Sequence, residues 1–335
     1  MNIGIVNDMP LAIEAMRRVI ALRAEHRVLW VATDGAQAVD FCIAQQPDVV
    51  LMDLIMPKLD GVEATRRIMA HAPCAILIVT SNVGANAWRV YEAMGAGALD
   101  AVDTPTLADS SRSVTLQPLL IKIDQIRHIL ELPNATREPA SPVRSGARGT
   151  FPLIAIGASA GGPTALAALL NKLPASFGAA IAIVQHVDLA FAQGMSQWLA
   201  GQTALNVRIA REGDRPQPGV ALLAATNDHL YLTRTGTYSY RPEPVDTPYR
   251  PSVDVFFHSV VEHWPADALG LLLTGMGRDG AVGLKAMRTK GYRTIAQDQA
   301  TSAVYGMPKA AAALDAAQLI LPLERIADEL MAFVK

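Results

Sequence analysis

The chain has 335 residues, enough for two domains with a substantial core in each. Apolar residues make up 51% and charged residues 18%, and the formal net charge of −2 leaves no basic signature for nucleic acid or an anionic membrane surface. No apolar run reaches the length of a membrane span, Asn2 to Val6 is too short for a signal peptide, and two cysteines make no disulfide framework. The expectation is a cytoplasmic protein with buried, reduced Cys42 and Cys74, no nucleic-acid partner and no direct membrane insertion.

Residues 1 to about 125 alternate strand and helix signals. Ile3-Gly4-Ile5-Val6 reads as a strand ending at Asn7-Asp8, and Leu11 to Ala24 carries a helical apolar stripe. A second strand, Val28 to Ala32, precedes a helix over Gly35 to Gln46. Asp48 to Met52 is a central strand ending in Asp53. A helix over Val62 to His71 leads to the strand Ala75 to Val79, which ends at Thr80. A helix around Ala87 to Met94, a short strand around Leu99 to Val102 and an amphipathic helix from about Val114 to Leu130 complete the series. Five βα units of this length predict a doubly wound parallel sheet. Asp8, Asp53 and Thr80 each end a strand, so they converge on the edge where such sheets keep their sites. Two carboxylates there suit a hard divalent cation such as Mg²⁺, which keeps waters for an incoming phosphoryl group.

The segment Asp53-Leu-Ile-Met-Pro57-Lys-Leu-Asp60-Gly61 resembles the phosphoacceptor segment of bacterial two-component receiver domains, a flavodoxin-like fold, with the resemblance running over residues 1 to about 125. It implies that Asp53 accepts a phosphoryl group from a histidine kinase, that Asp8 and Asp53 bind Mg²⁺, and that Thr80 is the switch hydroxyl that follows the phosphoryl group. Three positions depart from the receiver pattern. Asn7 replaces one of a pair of acids, Thr104 stands where a lysine precedes Pro105, and Ala101 stands where an aromatic switch residue is usual. Loss of the lysine removes a point charge for phosphoryl oxygens, whereas an Asn7 carbonyl retains the capacity to ligate Mg²⁺.

Residues 131–150 hold Pro133, Pro139, Pro142, Gly146 and Gly149 among Arg137, Arg144 and Arg148, without apolar periodicity. They read as a solvated linker between a domain at 1–130 and another at 151–335.

The second domain opens on Leu153 to Ile156, a buried strand, followed by the tight turn Gly157-Ala-Ser159-Ala-Gly-Gly162 and a helix beginning at Pro163. Ser159 thus sits on a strand-to-helix elbow, with free N–H groups of the helix start available to an oxyanion. The turn also admits a dinucleotide-binding reading, although that fingerprint needs glycine at 159, and a reading as an ordinary βα connection. Ala179 to Val184 is a second buried strand ending in Gln185-His186. Shorter strands follow at Val207 to Ala210, Val220 to Ala224 and His229 to Thr233. Ala268 to Leu273 is a long apolar strand before Thr274-Gly-Met-Gly-Arg-Asp279-Gly-Ala281, and a helix and the strand Thr294 to Ala296 come after it. Ser159, His186 and Asp279 therefore each lie just past a strand end on one sheet edge, where a hydroxyl, an imidazole and a carboxylate meet as a triad. Asp279 has an alternative as the N-cap of the next helix. His229, His258 and His263 lack metal-ligand spacing and read as structural or surface groups. Met52, Met56 and Met69 read as core packing.

Gly157-Ala-Ser159-Ala-Gly-Gly162, Val184-Gln-His186 and the Thr274 to Ala281 segment resemble the three active-site motifs of the CheB-type protein-glutamate methylesterases, which also place a receiver first. Val6-Asn-Asp-Met-Pro-Leu-Ala12 further resembles the WspF-type subgroup. The resemblance implies a Rossmann-like catalytic domain that hydrolyses glutamyl methyl esters on methyl-accepting chemoreceptors, with a CheA-type histidine kinase as phosphodonor and no cofactor for the esterase. Ser159 is then the nucleophile, His186 the general base and acid, Asp279 the orienting carboxylate, and the N–H groups of Ala160 and Met276 the oxyanion hole. Glutamine deamidation is a possible second activity. Pro251-Ser252-Val253-Asp254 matches a family segment at the site's rim, and Ala160 stands where the family often has threonine. The competing reading, motivated by Asn7, Ala101 and Thr104, is a non-catalytic adaptor on receptor arrays with a degenerate receiver.

Overall fold

Short strands buried on both faces alternate with helices apolar on one side, and that pattern yields two parallel sheets with helices on either side of each. The computed structural model describes residues 1–83, 86–105, 117–130, 151–187, 189–247 and 249–335. The linker expected at 131–150 and the start of the helix expected from Val114 lie outside these residues. The chain divides into two units, Met1–Asn134 and Ala135–Lys335.

In the first unit, β1 (Asn2–Val6), β2 (Arg27–Ala32), β3 (Val49–Met52), β4 (Ala75–Thr80) and β5 (Asp100–Asp103) pair in parallel in the order β2-β1-β3-β4-β5. The helices are α1 (Pro10–Ile20), α2 (Gly35–Ala44), α3 (Gly61–His71), α4 (Ala87–Gly95) and α5 (Gln117–Leu130). α1 and α5 pack together, and α2, α3 and α4 pack in series. Pro10 opens α1 without losing a helical hydrogen bond. Asp34 and Asp60 cap α2 and α3 by accepting the N–H three residues on, at 2.9 Å each. Strand order reverses between β1 and β3, so the carboxyl ends of those two strands form the crevice.

The second unit has a seven-stranded sheet built from β6 (Leu153–Ala158), β7 (Ala180–Gln185), β8 (Asn206–Ile209), β9 (Val220–Leu223), β12 (Ala268–Leu272), β13 (Arg293–Gln297) and β14 (Leu319–Leu321). All neighbours are parallel, in the order β14-β13-β12-β6-β7-β9-β8. α6 (Gly162–Leu170) packs against α7 (Leu189–Ala200) and α11 (Leu323–Phe333), while α9 (Ala281–Lys290) packs against α8 (Val253–His263) and α10 (Met307–Ala313). The order reverses between β6 and β12. The strand expected at His229 to Thr233 does not join this sheet. It is β10 (His229–Leu232), and it forms an antiparallel hairpin with β11 (Tyr238–Arg241), because Gly236 at φ +73° turns the chain back within a few residues.

Leu230, Leu232 and Tyr238 of the hairpin bury against Phe256 and Val260 of α8, which joins them to the sheet's core. Phe256 is fully buried among these groups. Replacing Phe256 with alanine should cost about 3–5 kcal/mol through lost transfer energy and a residual cavity. Calorimetric melting should show this as a lowered transition for the second unit only.

Candidate active site and phosphoacceptor site

Each expected triad residue follows one of three adjacent strands, and the backbone ladder continues far enough to tie their positions together. His186 N donates to Ala158 O at 3.0 Å and Ser159 N donates to Thr274 O at 3.0 Å, one residue beyond β6 on either side. Ser159 therefore stands between the strand end that carries His186 and the loop that carries Asp279. His186 Nε2 lies 2.8 Å from Asp279 Oδ2. With Nε2 engaged, Nδ1 is the nitrogen left to accept a proton, and it is buried without a hydrogen-bond partner among the described residues.

Asp279, in the loop before α9, faces the N-terminus of α8. Its Oδ2 also accepts the Val253 N–H at 2.7 Å, and its Oδ1 accepts the Ser252 hydroxyl at 2.9 Å, the Asp254 N–H at 3.1 Å and the Gly280 N–H at 3.0 Å. Burial disfavours the charge, but the hydrogen bond and charge of His186, with the two helix N–H groups, hold the carboxyl below its ordinary range. The N-cap of α9 is Gly280, so the capping alternative for Asp279 does not hold: its carboxylate faces α8. An ionised carboxylate fixed this way orients the imidazole and stabilises its protonated form.

Around Ser159 the turn is shaped by close approach. Gly161 has φ +74°, and a Cβ there would lie 2.5 Å from the Cβ of Ala303. Buried Thr274 fastens three loops: its hydroxyl donates to Ala160 O at 3.0 Å and accepts the Val304 N–H at 2.9 Å, while its N–H donates to Gln297 Oε1 at 2.8 Å. Among the described residues the N–H groups of Ala160 and Met276 have no acceptor, so both are available to an oxyanion.

In the first unit, Asp53 N donates to Val6 O at 3.0 Å, which brings the ends of β1 and β3 together. Asp53 is buried, with Oδ2 accepting the Asn7 amide at 3.1 Å and Oδ1 accepting the Leu54 N–H at 2.7 Å. Burial above all, with the charge of Asp8 adding to it, raises the Asp53 carboxyl, against bonds from the Leu54 and Ile55 N–H groups and from Thr80. Asp8 is exposed at the mouth and Thr80 is buried, its hydroxyl accepting the Asn86 amide at 3.2 Å. The Asn7 carbonyl accepts the Met9 N–H at 2.8 Å. Two carboxylates, one of them disfavoured by burial and by the other's charge, fit a divalent cation. Cys42 is buried, whereas Cys74, expected to be so, is half-exposed at the start of β4; both are free thiols.

The family model "CheB methylesterase" matches residues 154–330, and "Response regulator receiver domain" matches residues 3–110. A protein of Burkholderia lata named "Protein-glutamate methylesterase/protein-glutamine glutaminase 1" is 71% identical over the whole of both chains. One of Burkholderia orbicola, with the same name numbered 2, is 70% identical over the whole of both. This chain belongs to the CheB methylesterase family. The crystal structure of the Thermotoga maritima CheB methylesterase catalytic domain is similar at 30% identity and a TM-score of 0.53, covering 56% of this chain and all of that one.

Two residues that support this geometry were noticed in the sequence without the contacts that make them matter. Ser252 caps α8 and also donates to Asp279, and its motif had placed it only at the rim. His229 is fully buried: its Nδ1 accepts the Ser252 N–H at 3.0 Å and its Nε2 lies 3.1 Å from Pro244 O. It is structural, as expected, but what it holds is the residue that holds Asp279.

Asp254 lies beside Asp279, and its Oδ1 accepts the Gly283 N–H at 2.6 Å. Burial and the Asp279 charge push it up to about 6, against that N–H and the charge of His258. Its ionisation is therefore harder in the fold than in the unfolded chain, so this residue lowers stability as pH rises from about 4 through 6. Asp254→Asn keeps the Gly283 bond without the charge. The variant should match the parent near pH 4 and exceed it above pH 6, by on the order of 1–2 kcal/mol after solvent screening, in melting curves across pH.

Proposed function

We propose that this chain hydrolyses glutamyl methyl esters on the cytoplasmic helices of methyl-accepting chemoreceptors, with the receiver controlling the rate through phosphorylation of Asp53. The observation that carries the reading is the His186–Asp279 pair beside Ser159 at the sheet's switch point, in a chain whose full-length relatives are named as methylesterases.

In this reading the Ser159 hydroxyl attacks the γ-carbonyl carbon while His186 Nδ1 takes its proton. Asp279 keeps the Nε2–H in place and stabilises the imidazolium. The Ala160 and Met276 N–H groups receive the developing oxyanion. Collapse breaks the bond to the methoxy oxygen, which leaves as methanol with the proton from His186. Water then attacks the acyl-enzyme with His186 as base, releasing glutamate and restoring the serine. A glutamine side chain suits the same sequence with ammonia as the leaving group, in keeping with the glutaminase part of the relatives' names.

The receiver's donor would be a CheA-type histidine kinase. Asp8 and Asp53 would hold Mg²⁺, which when bound offsets the negative charge brought by the phosphoryl group. Asp53 carries the nucleophilic oxygen, and Thr80 follows the phosphoryl oxygens. The unphosphorylated receiver restrains the esterase, and phosphorylation relieves the restraint. A cytoplasmic location follows from this substrate; among the described residues no helix is long and apolar enough to cross a membrane.

Methanol release from a methylated receptor fragment tests the whole reading. Release should fall by at least about a thousandfold in Ser159→Ala, since the serine and imidazole act as one unit. It should rise with a small phosphodonor and Mg²⁺ in the parent but not in Asp53→Ala. Deletion of residues 1–130 should raise the basal rate, and an unchanged or lower rate would sink the restraint model. No release from a competent receptor fragment would favour the adaptor.

A further inference from the structure

One buried imidazole ties together the two ends of the strap between β11 and α8. His229 reaches Pro244 O at the start of this strap with Nε2 and Ser252 N at its end with Nδ1. Thr247 Oγ1 lies 3.2 Å from the same Nε2 and 3.0 Å from Pro244 O, which tightens the first half. Within the strap so closed, Tyr249 lies flat on His186. The ring centroids are 4.3 Å apart and the planes differ by 2°.

That contact reaches both halves of the catalytic arrangement. One face of the His186 ring is covered, so the imidazole is held by Asp279 at its edge and by a phenol ring on its plane. At its far end the phenol oxygen lies over the loop that carries Met276. Gly277 has φ +80°, and a Cβ there would come within 2.6 Å of the Tyr249 oxygen. Burial, with the charge of Asp279 adding to it, raises the Tyr249 phenol, which keeps the ring neutral. A neutral, electron-rich face lying on an imidazole also favours the cation formed when His186 takes the serine proton.

Resting on the esterase reading above, we propose that Tyr249 is a positioning residue for His186. Stacking holds the imidazole in the one orientation that keeps Nε2 on Asp279 and leaves Nδ1 free for Ser159, and the strap delivers the ring that does so. A planar ring supplies the constraint, and the phenol hydroxyl does not. Leucine fills comparable space without a plane, so the imidazole regains rotation about its side-chain bonds. Since misplacement of a reacting group by about 1 Å costs up to a hundredfold in rate, the effect should fall on kcat.

The test compares Tyr249→Leu with Tyr249→Phe in the full-length protein. For methyl-ester hydrolysis, the leucine variant should lose at least about tenfold in kcat with KM within about twofold, and phenylalanine should stay within about threefold of the parent. Independently of any substrate, ¹⁵N spectra of the His186 ring should show one tautomer, protonated at Nε2, in the parent and in Tyr249→Phe. In Tyr249→Leu they should show exchange between states, with an unchanged melting temperature establishing that the variant is folded. A leucine variant with parental kcat and a single tautomer would overturn the proposal, as would a phenylalanine variant as impaired as leucine. A loss of melting temperature in leucine with ring spectra unchanged would also overturn it, since the residue would then serve the fold alone. If the parent released no methanol, the esterase reading would fail while the ring spectra still decided what Tyr249 does.

Discussion

The catalytic unit depends on one buried carboxylate that must remain charged. Asp279 accepts hydrogen bonds from His186, Ser252, Val253, Asp254 and Gly280, and those partners come from a strand end, a helix cap, a helix N-terminus and its own loop. Burying an unpaired carboxylate costs several kcal/mol, so the arrangement stands only while these donors are in place together. α8 supplies two of them as the otherwise unsatisfied N–H groups of its first turn. Its register is held in turn by Phe256 and Val260 in the core and by Ser252 under His229. Core packing and catalytic charge are therefore linked through one helix.

How much of this was legible follows from the range of the interactions. Ser159, His186 and Asp279 each end an apolar run, and parallel strand ends share an edge, so their convergence could be read from local pattern alone. Tyr249 and Ser252 sit in a stretch without periodicity, and His229 opens a strand whose pattern says nothing of what its ring bonds. Their roles arise from contacts across the fold, such as the 2.9 Å bond from Ser252 to a carboxylate 27 residues away. The β10–β11 hairpin was missed for a related reason. Leu230 and Leu232 alternate as a half-buried strand should, but alternation does not say which sheet a strand joins. For Asp279 the local rule pointed to a cap of α9, and the structure gives that cap to Gly280 in a left-handed conformation, freeing the carboxylate for α8.

In the receiver the same sheet logic held and the departures from pattern acquire a physical meaning. Asn7 presents its amide to Asp53 and its carbonyl to Met9, so it serves Asp53 as a neutral hydrogen-bond donor where an acid would have brought a second charge. Thr104 continues the backbone ladder by donating its N–H to Thr80 O at 2.8 Å, so the place of the missing lysine helps to hold the end of β4. Lys58, beside the phosphoacceptor turn, is committed to Asp34 at 2.7 Å.

The two crevices solve opposite problems with the same residue type. Both put an aspartate past the end of a buried strand at a switch point, where the backbone leaves room for a ligand. Asp279 is surrounded by donors that outweigh its burial and lower its proton affinity, which keeps it ionised. Asp53 is buried too but has fewer donors to offset that burial, and with the charge of Asp8 nearby its proton affinity is raised and its charge disfavoured. A carboxylate in that condition gains from an added cation, whereas one already saturated with N–H groups does not.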